Sequence, residues 1–236
     1  MNTTFAAIVF KWLGQACFLL SLGGSSHILI DPPHPQIGYA VAAHSIPADA
    51  VFVSHNHPDH NFVEAAMGAP QVVEPLTQPG STDGKLLDGK LVYNRIFAYH
   101  DNEEGRQRGP DTITVFQANG LRIVHLGDLG QFALTPEQIS QIGHVDVLMI
   151  PVGGFFTIDG NQAAEIVREL QPRVILPMHY GTPALTPDLR SKLAPADTFL
   201  AAMKGKAKVV VVHGRDLKLS VKTLPKSQTI YILRYQ

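Results

Sequence analysis

Cysteine is almost missing from this chain of 236 residues, in which Cys17 is the single one. One cysteine excludes an internal disulfide and any zinc site built from several cysteines, and it is typical of a reducing compartment. The chain also lacks a large net charge, because its 19 lysine and arginine residues nearly balance its 20 aspartate and glutamate residues. Nucleic-acid binders usually present a basic surface, so we expect no nucleic-acid partner.

Long hydrophobic runs are also missing. The most apolar stretch covers residues 5–22, and it contains Lys11, Gly14 and Gln15. A membrane-spanning helix needs about 20 mostly apolar residues, and a secretory signal carries its charge before the apolar run. Neither pattern fits, so we interpret the stretch as two short strands that meet at Gly14 and Gln15. We therefore expect a cytoplasmic protein without integral membrane association.

Apolar runs of strand length are frequent. Hydrophobic residues make up 45% of the sequence, and the length fits a single domain over residues 1–236. The first runs read as an antiparallel meander, and later runs alternate with helical stretches. The predicted strands cover residues 7–12, 17–22, 27–30, 50–53, 91–99, 112–117, 121–125, 145–150, 173–177, 209–213, 217–221 and 229–233.

Helix starts can be recognised from their capping residues. Thr135 and Asp159 are each followed by glutamine three residues later, which is the pattern of a capping box. Residues 186–187 and 196–204 indicate two more helices, and the residues from 58 to 67 are expected to contain another. Together the elements predict an α/β (α+β) fold in which two sheets pack face to face with helices outside.

A cluster of metal-ligand residues follows the predicted strand 50–53. The pattern HxHxDH places His55, His57, Asp59 and His60 within six residues. A buried strand that ends in this way delivers four side chains to one loop at a sheet edge, where sites of α/β proteins usually lie. A histidine-rich surface loop is the alternative. Four residues of ligand type at a strand end favour a metal site instead.

One loop cannot complete two coordination spheres, so further ligands should follow later strands. His100, Asp128 and His179 each stand at or just beyond the end of a predicted strand. A single histidine in such a position is more often structural. Combined with the HxHxDH motif, however, they give seven candidate ligands at strand ends.

In this order of ligands the chain resembles the metallo-β-lactamase superfamily, and the resemblance extends from Trp12 to Tyr180. It implies a four-layer αββα sandwich built on two mixed sheets. It also implies that one metal binds His55, His57 and His100, that a second binds Asp59, His60 and His179, and that Asp128 bridges both.

Within the superfamily the chain looks closest to the group of ascorbate-6-phosphate lactonase and the N-acylphosphatidylethanolamine phospholipase D. Asp31 matches an acidic residue that members carry ahead of the histidine motif, which implies that it orients a ligand imidazole. Gln15 is a departure, because relatives often have histidine after the preceding glycine. This departure concerns the pocket and leaves the metal ligands intact.

Three branches of the superfamily fit less well. Penicillin-hydrolysing zinc enzymes commonly have cysteine or serine where this chain has Asp128, and di-iron oxygen-reducing relatives have an acidic residue in place of His57. The RNA-processing branch carries long inserted domains and a basic surface. Hydrolysis of a small molecule therefore fits better than antibiotic hydrolysis, redox chemistry or RNA processing.

The resemblance and the ligand chemistry predict a dinuclear hydrolase in which two divalent cations share a water and generate a bridging hydroxide. Zinc is the expected metal, and manganese or iron suit the same ligands. Two cations, two carboxylates and the hydroxide leave one positive charge, which favours an anionic lactone or ester as substrate. A phosphodiesterase shares every ligand and stays open, as does a metal-loaded binding or regulatory protein without catalysis.

Other side chains are candidates around the metals. Asp59 is a ligand that can also transfer the reaction proton. Phe155 and Phe156 can offer apolar surface, Arg108 can clamp an anionic group, and Tyr180 can hydrogen-bond to the substrate, although packing or solvation explains such residues as well. Homo-oligomers are common among soluble proteins, so symmetric assembly stays an option.

Overall fold

The computed structural model describes residues 5–214 and 216–235. Short 3₁₀ helices cover Pro35–Ile37 and Val63–Ala65. In chain order, the strands are β1 (Ile8–Gly14), β2 (Cys17–Ser21), β3 (His27–Ile30), β4 (Ile46–Pro47), β5 (Ala50–Phe52), β6 (Ala66–Met67), β7 (Gln71–Val73), β8 (Ser81–Leu86), β9 (Leu91–Tyr99), β10 (Pro110–Ala118), β11 (Leu121–His125), β12 (Val147–Pro151), β13 (Val174–Met178), β14 (Lys208–Val211), β15 (Leu217–Leu219) and β16 (Thr229–Ile232), and the α-helices are α1 (Pro136–Ile142), α2 (Gly160–Leu170), α3 (Pro187–Lys192) and α4 (Asp197–Ala202).

The strands form two large mixed sheets and a small two-stranded one. The six-stranded sheet has the order β15-β1-β2-β3-β5-β7, and the eight-stranded sheet has the order β14-β16-β13-β12-β11-β10-β9-β8. Antiparallel pairing of β1, β2 and β3 gives way to parallel pairing of β3 with β5. In the larger sheet β9, β10 and β11 are antiparallel, whereas β11, β12 and β13 are parallel. The predicted fold class is confirmed.

Alternating side chains explain why the six-stranded sheet is buried on both faces. Along β2, Phe18 and Leu20 enter the main core that the two sheets share, whereas Cys17 and Leu19 enter a second apolar cluster. This follows from the two-residue period of a strand. The second cluster also contains Leu185, from the loop before α3, so that loop covers the sheet.

Both predicted capping boxes are present. The Thr135 hydroxyl accepts the Gln138 N–H at 3.1 Å, and the Gln138 side chain accepts the Thr135 N–H at 2.9 Å. Asp159 and Gln162 form the same pair at the start of α2. Within the described part of the chain, none of the helices is long and apolar enough to cross a membrane.

The predicted helix between residues 58 and 67 is wrong. The structure has a 3₁₀ turn at Val63–Ala65 followed by β6, which pairs with β4 in parallel. The Phe62 N–H donates to the Pro32 carbonyl at 2.9 Å, and Phe62 provides no side-chain cap. The contact with the segment after β3 therefore replaces the helical hydrogen bonds that the prediction assumed.

Candidate metal centre

The structure brings all seven candidate ligands to one end of the two sheets. Their ligand atoms fall into two groups, and within each group the atoms lie within 4.8 Å of one another. The first group is His55, His57 and His100, and the second is Asp59, His60, Asp128 and His179.

The Asp128 carboxylate lies between the two groups. Its Oδ2 is 3.1 Å from Nε2 of His179 and 3.2 Å from Nε2 of His60 in its own group. The same oxygen is 3.5 Å from Nε2 of His100 and 3.9 Å from Nε2 of His55 in the other group. One carboxylate therefore faces imidazoles from both sides.

Asp31 lies beneath the cluster and is fully buried. Its carboxylate accepts the N–H and the hydroxyl of Ser54, both at 2.7 Å, and lies 3.0 Å from Nδ1 of His60. An ionised carboxylate only accepts, so His60 Nδ1 is the donor and Nε2 points toward the other ligands. Asp31 is thus positioned to orient the His60 imidazole.

Asp111, at the start of β10, is a buried carboxylate that the sequence did not reveal. Its Oδ1 accepts the Asp128 N–H at 3.2 Å and lies 3.6 Å from Nδ1 of His55. Gly127 allows this approach, because it has φ +55° and a Cβ there would lie 2.2 Å from Asp111 Oδ1. Aspartate is rare in strands, and that is the signal by which Asp111 could have been noticed.

Two further buried side chains hold the backbone around the ligands. The Arg95 guanidinium donates to the carbonyl of Val53 at 3.0 Å, just before the HxHxDH motif. His125 Nδ1 accepts the Gly127 N–H at 3.1 Å, so its Nε2 carries the proton and donates to the Ala16 carbonyl at 2.9 Å. Both contacts fix loops that carry ligands.

The surroundings of the candidate ligands shift their pKa values in different directions. Burial lowers the pKa of His55 well below its usual value and lowers that of His100 to about 4. Burial opposes the charge of His179, but Asp128 and Asp59 raise its pKa to about 9. Burial also works against ionised Asp128, yet His179 and its neighbours hold the Asp128 pKa well below the usual range. A cation would replace the protons that these carboxylates attract to the imidazoles.

The donor set fits divalent cations. His55 Nε2, His60 Nε2 and Asp128 Oδ1 are buried and have no hydrogen-bond partner among the residues described. Buried polar atoms normally have partners, so these atoms are oriented for a ligand. Tetrahedral zinc with bonds of about 2.0–2.1 Å places its ligand atoms roughly 3.3 Å apart, which matches the spacing around Asp128. Imidazole and carboxylate groups accept zinc, manganese and iron.

Gln15 contacts the second ligand group directly. Its Nε2 donates to Asp59 Oδ2 at 3.0 Å and lies 2.6 Å from Nε2 of His179. We predict that Gln15→Leu weakens metal binding by about 10- to 100-fold, because contacts that orient ligands have effects of this size. Competition with a chromophoric chelator measures the affinity.

A matched variant tests whether that effect is local. Gln71 is exposed on β7, and Gln71→Leu should leave the metal affinity unchanged. Gln15→His introduces the residue that the family resemblance implies for this position and should retain the affinity. Unchanged metal binding in Gln15→Leu would contradict the role of Gln15.

A cavity of about 360 Å³ opens over the ligands and reaches the predicted substrate residues Arg108 and Phe156. The Arg108 guanidinium donates to the carbonyl of Phe155 at 2.9 Å, and its Cζ lies 5.9 Å from the centre of the Phe156 ring. Phe155 is 59% exposed and lines a neighbouring cavity. Tyr180 is buried against Trp12, with ring centres 5.1 Å apart, and does not belong to the lining of the first cavity.

Comparison with known proteins agrees with this geometry. Residues 9–179 match the family described as the beta-lactamase superfamily domain. A protein named metal-dependent hydrolase from Thermococcus kodakarensis is 31% identical, and the match covers 89% of this chain and 98% of that relative. Another of that name, from Thermoplasma acidophilum, is 30% identical over 72% of this chain and 82% of the relative.

A solved structure agrees as well. A crystal structure of a Thermotoga maritima member of the metallo-β-lactamase superfamily is 31% identical, with a TM-score of 0.71, and the match covers 97% of this chain and 100% of that one. All seven candidate ligands lie inside the matched residues 9–179. The chain therefore belongs to the metallo-β-lactamase superfamily of metal-dependent hydrolases.

Proposed function

We propose that this protein binds two divalent cations and hydrolyses a small carboxylic ester or lactone that carries a negative charge. The position of Asp128 supports two cations more than any other observation. Its Oδ2 lies 3.1 Å from His179 in one ligand group and 3.5 Å from His100 in the other. A carboxylate shared in this way is suited to bridge a pair of metal ions.

The carboxyl groups also favour bound cations. Four of them gather in or beneath the cluster, two as candidate ligands and two as hydrogen-bond partners of the ligands and their loops. Such a concentration of buried carboxylates is unfavourable without compensating charge. The four are Asp31, Asp59, Asp111 and Asp128.

When bound, the cations would lower the pKa of a water molecule and polarise the substrate carbonyl. Asp59 is the ligand best placed to move a proton, because its side chain is 24% exposed and lines the cavity over the cluster. The contact with Gln15 fixes one oxygen of Asp59. The cavity-facing part of the carboxylate can accept the proton of the attacking water and return it to the leaving group.

Arg108 supplies the positive charge for an anionic substrate. It lines both the cavity over the ligands and the neighbouring one, which has a volume of about 520 Å³. Its backbone N–H donates to Asp101 at 2.7 Å, which anchors the loop that carries it. Guanidinium groups bind carboxylates through paired hydrogen bonds, so a substrate carboxylate can replace the Phe155 carbonyl as partner.

Zinc is the metal to test first, and manganese and iron suit the same ligands. The Thermotoga maritima relative carries the name of a Zn-dependent hydrolase. The proposal places the reaction in the cytoplasm, in keeping with the single, buried Cys17.

The test is a comparison of substrates on protein reconstituted with each metal and analysed for metal content. We expect two equivalents per chain, and kcat/KM for a carboxylate-bearing ester or lactone at least about tenfold above that for bis-p-nitrophenyl phosphate. Faster turnover of the phosphodiester would identify a phosphodiesterase instead. Two bound equivalents without turnover of either substrate would identify a metal-loaded binding protein.

A further inference from the structure

One wall of the cavity over the metal ligands is apolar. Candidate ligands of both groups and Arg108 also line this cavity of about 360 Å³. Half-buried and exposed side chains form the wall, and these are Ile37, Pro58, Phe156 and Leu189.

Two segments that are distant in sequence contact each other to form this wall. The Ile37 carbonyl accepts the Thr186 N–H at 3.0 Å, just before α3, which carries Leu189. Gly38 has φ +117°, and a Cβ at Gly38 would lie 2.1 Å from the Ala184 carbonyl oxygen. Glycine is required for this close approach, so Ile37 and Leu189 are held on one surface.

The wall is supported from behind. Ile37, Phe156 and Leu189 pack against the second apolar cluster, which covers the six-stranded sheet. Their remaining surface faces the cavity and stays open to solvent. Partly exposed apolar side chains around a concave site are typical of surfaces that bind an apolar ligand.

The neighbouring cavity of about 520 Å³ has a mixed lining. Polar side chains such as Asp101 and Glu103 line it together with the exposed Phe132 and Phe155, and Arg108 lines both cavities. A substrate whose carbonyl lies at the metal ligands therefore meets apolar surface in the first cavity and both polar and apolar groups in the second.

We propose that the wall of Ile37, Pro58, Phe156 and Leu189 binds the acyl chain of the substrate and selects esters of medium-chain aliphatic acids. This rests on the proposed ester hydrolysis. A cavity of about 360 Å³ lies within the range that holds small ligands, so beside the reacting group it has room for a chain on the order of six to eight carbons.

The first experiment measures kcat/KM of the zinc-loaded protein for p-nitrophenyl esters from acetate to decanoate. We expect an increase of about fourfold per methylene up to hexanoate or octanoate, followed by a plateau, because each buried methylene contributes to binding by this factor. Leu189→Ala and Phe156→Ala should flatten the increase. Arg190→Ala, an exposed neighbour on α3, should retain it.

The second experiment separates chain binding from hydrolysis. Calorimetric titration with the non-hydrolysable ketones 2-butanone and 2-octanone compares neutral probes that differ by four methylenes, and we expect about 10²-fold tighter binding of 2-octanone. Leu189→Ala should reduce this ratio to below about tenfold, whereas Arg190→Ala should not.

The two failures are distinguishable. Ketone binding that depends on chain length, without turnover of any ester, would support the acyl site but overturn the proposed ester hydrolysis. Ester turnover that is independent of chain length, with equal affinity for both ketones, would overturn the acyl site and leave the proposed hydrolysis in place.

Discussion

Asp128→Asn should lower kcat/KM by about 10³-fold or more and, on the dinuclear proposal, reduce the metal content from two equivalents to at most one. Substitution of residues that only orient ligands lowers metal affinity or activity by about 10- to 100-fold, and loss of a shared ligand should exceed that. Asparagine has almost the same shape as aspartate but lacks the charge. Because Asp128 Oδ2 faces imidazoles from both ligand groups, the substitution would remove a partner shared by both proposed cations. Elemental analysis and steady-state kinetics measure the two effects.

Asp83→Asn is the matched control for this variant. Asp83 is an exposed residue of β8 whose carboxylate accepts a hydrogen bond from Asn94, away from the candidate ligands. Activity and metal content should stay at the level of the unmodified protein. Two retained equivalents and undiminished turnover in Asp128→Asn would show that this carboxylate does not hold a metal pair.

The parts of the site that could be predicted from sequence are those encoded by local pattern. His55, His57, Asp59 and His60 share one loop, and a buried strand precedes them, so their spacing alone indicated a metal centre. Capping boxes are equally local, and the helix that begins after Thr135 was predicted at its observed start.

The missed features depend on contacts between distant segments. Asp111 reaches Asp128 from a neighbouring strand, and the Ile37 carbonyl accepts the Thr186 N–H just before α3. The edge strand β8 was missed because its residues are mostly exposed and polar, so it lacks the alternation that marks a half-buried strand. The wrong helix prediction before β6 has the same origin, because a tertiary hydrogen bond of Phe62 decided the local conformation.

Removing the cations with a chelator should lower the melting temperature by roughly 5–15 °C. Asp31 and Asp111 are fully buried and Asp128 is 1% exposed, so the folded chain without cations retains several carboxylates in a small volume. A ligand present at 100 to 1,000 times its Kd stabilises the folded state by about 2.7–4.1 kcal/mol. For a chain of this length each kcal/mol shifts the melting temperature by about 2–4 °C. Differential scanning calorimetry with and without chelator measures the shift.

The same measurement on Asp128→Asn connects stability to the metal pair. This variant removes one buried charge and, on the dinuclear proposal, one cation, so chelation should lower its melting temperature by less than in the unmodified protein. Cysteine coordination does not complicate the comparison, because Cys17 is the only thiol in the sequence and is buried. An equal shift in both proteins would mean that the stabilising cation binds away from Asp128. The dinuclear proposal would then be wrong even if the enzyme were active.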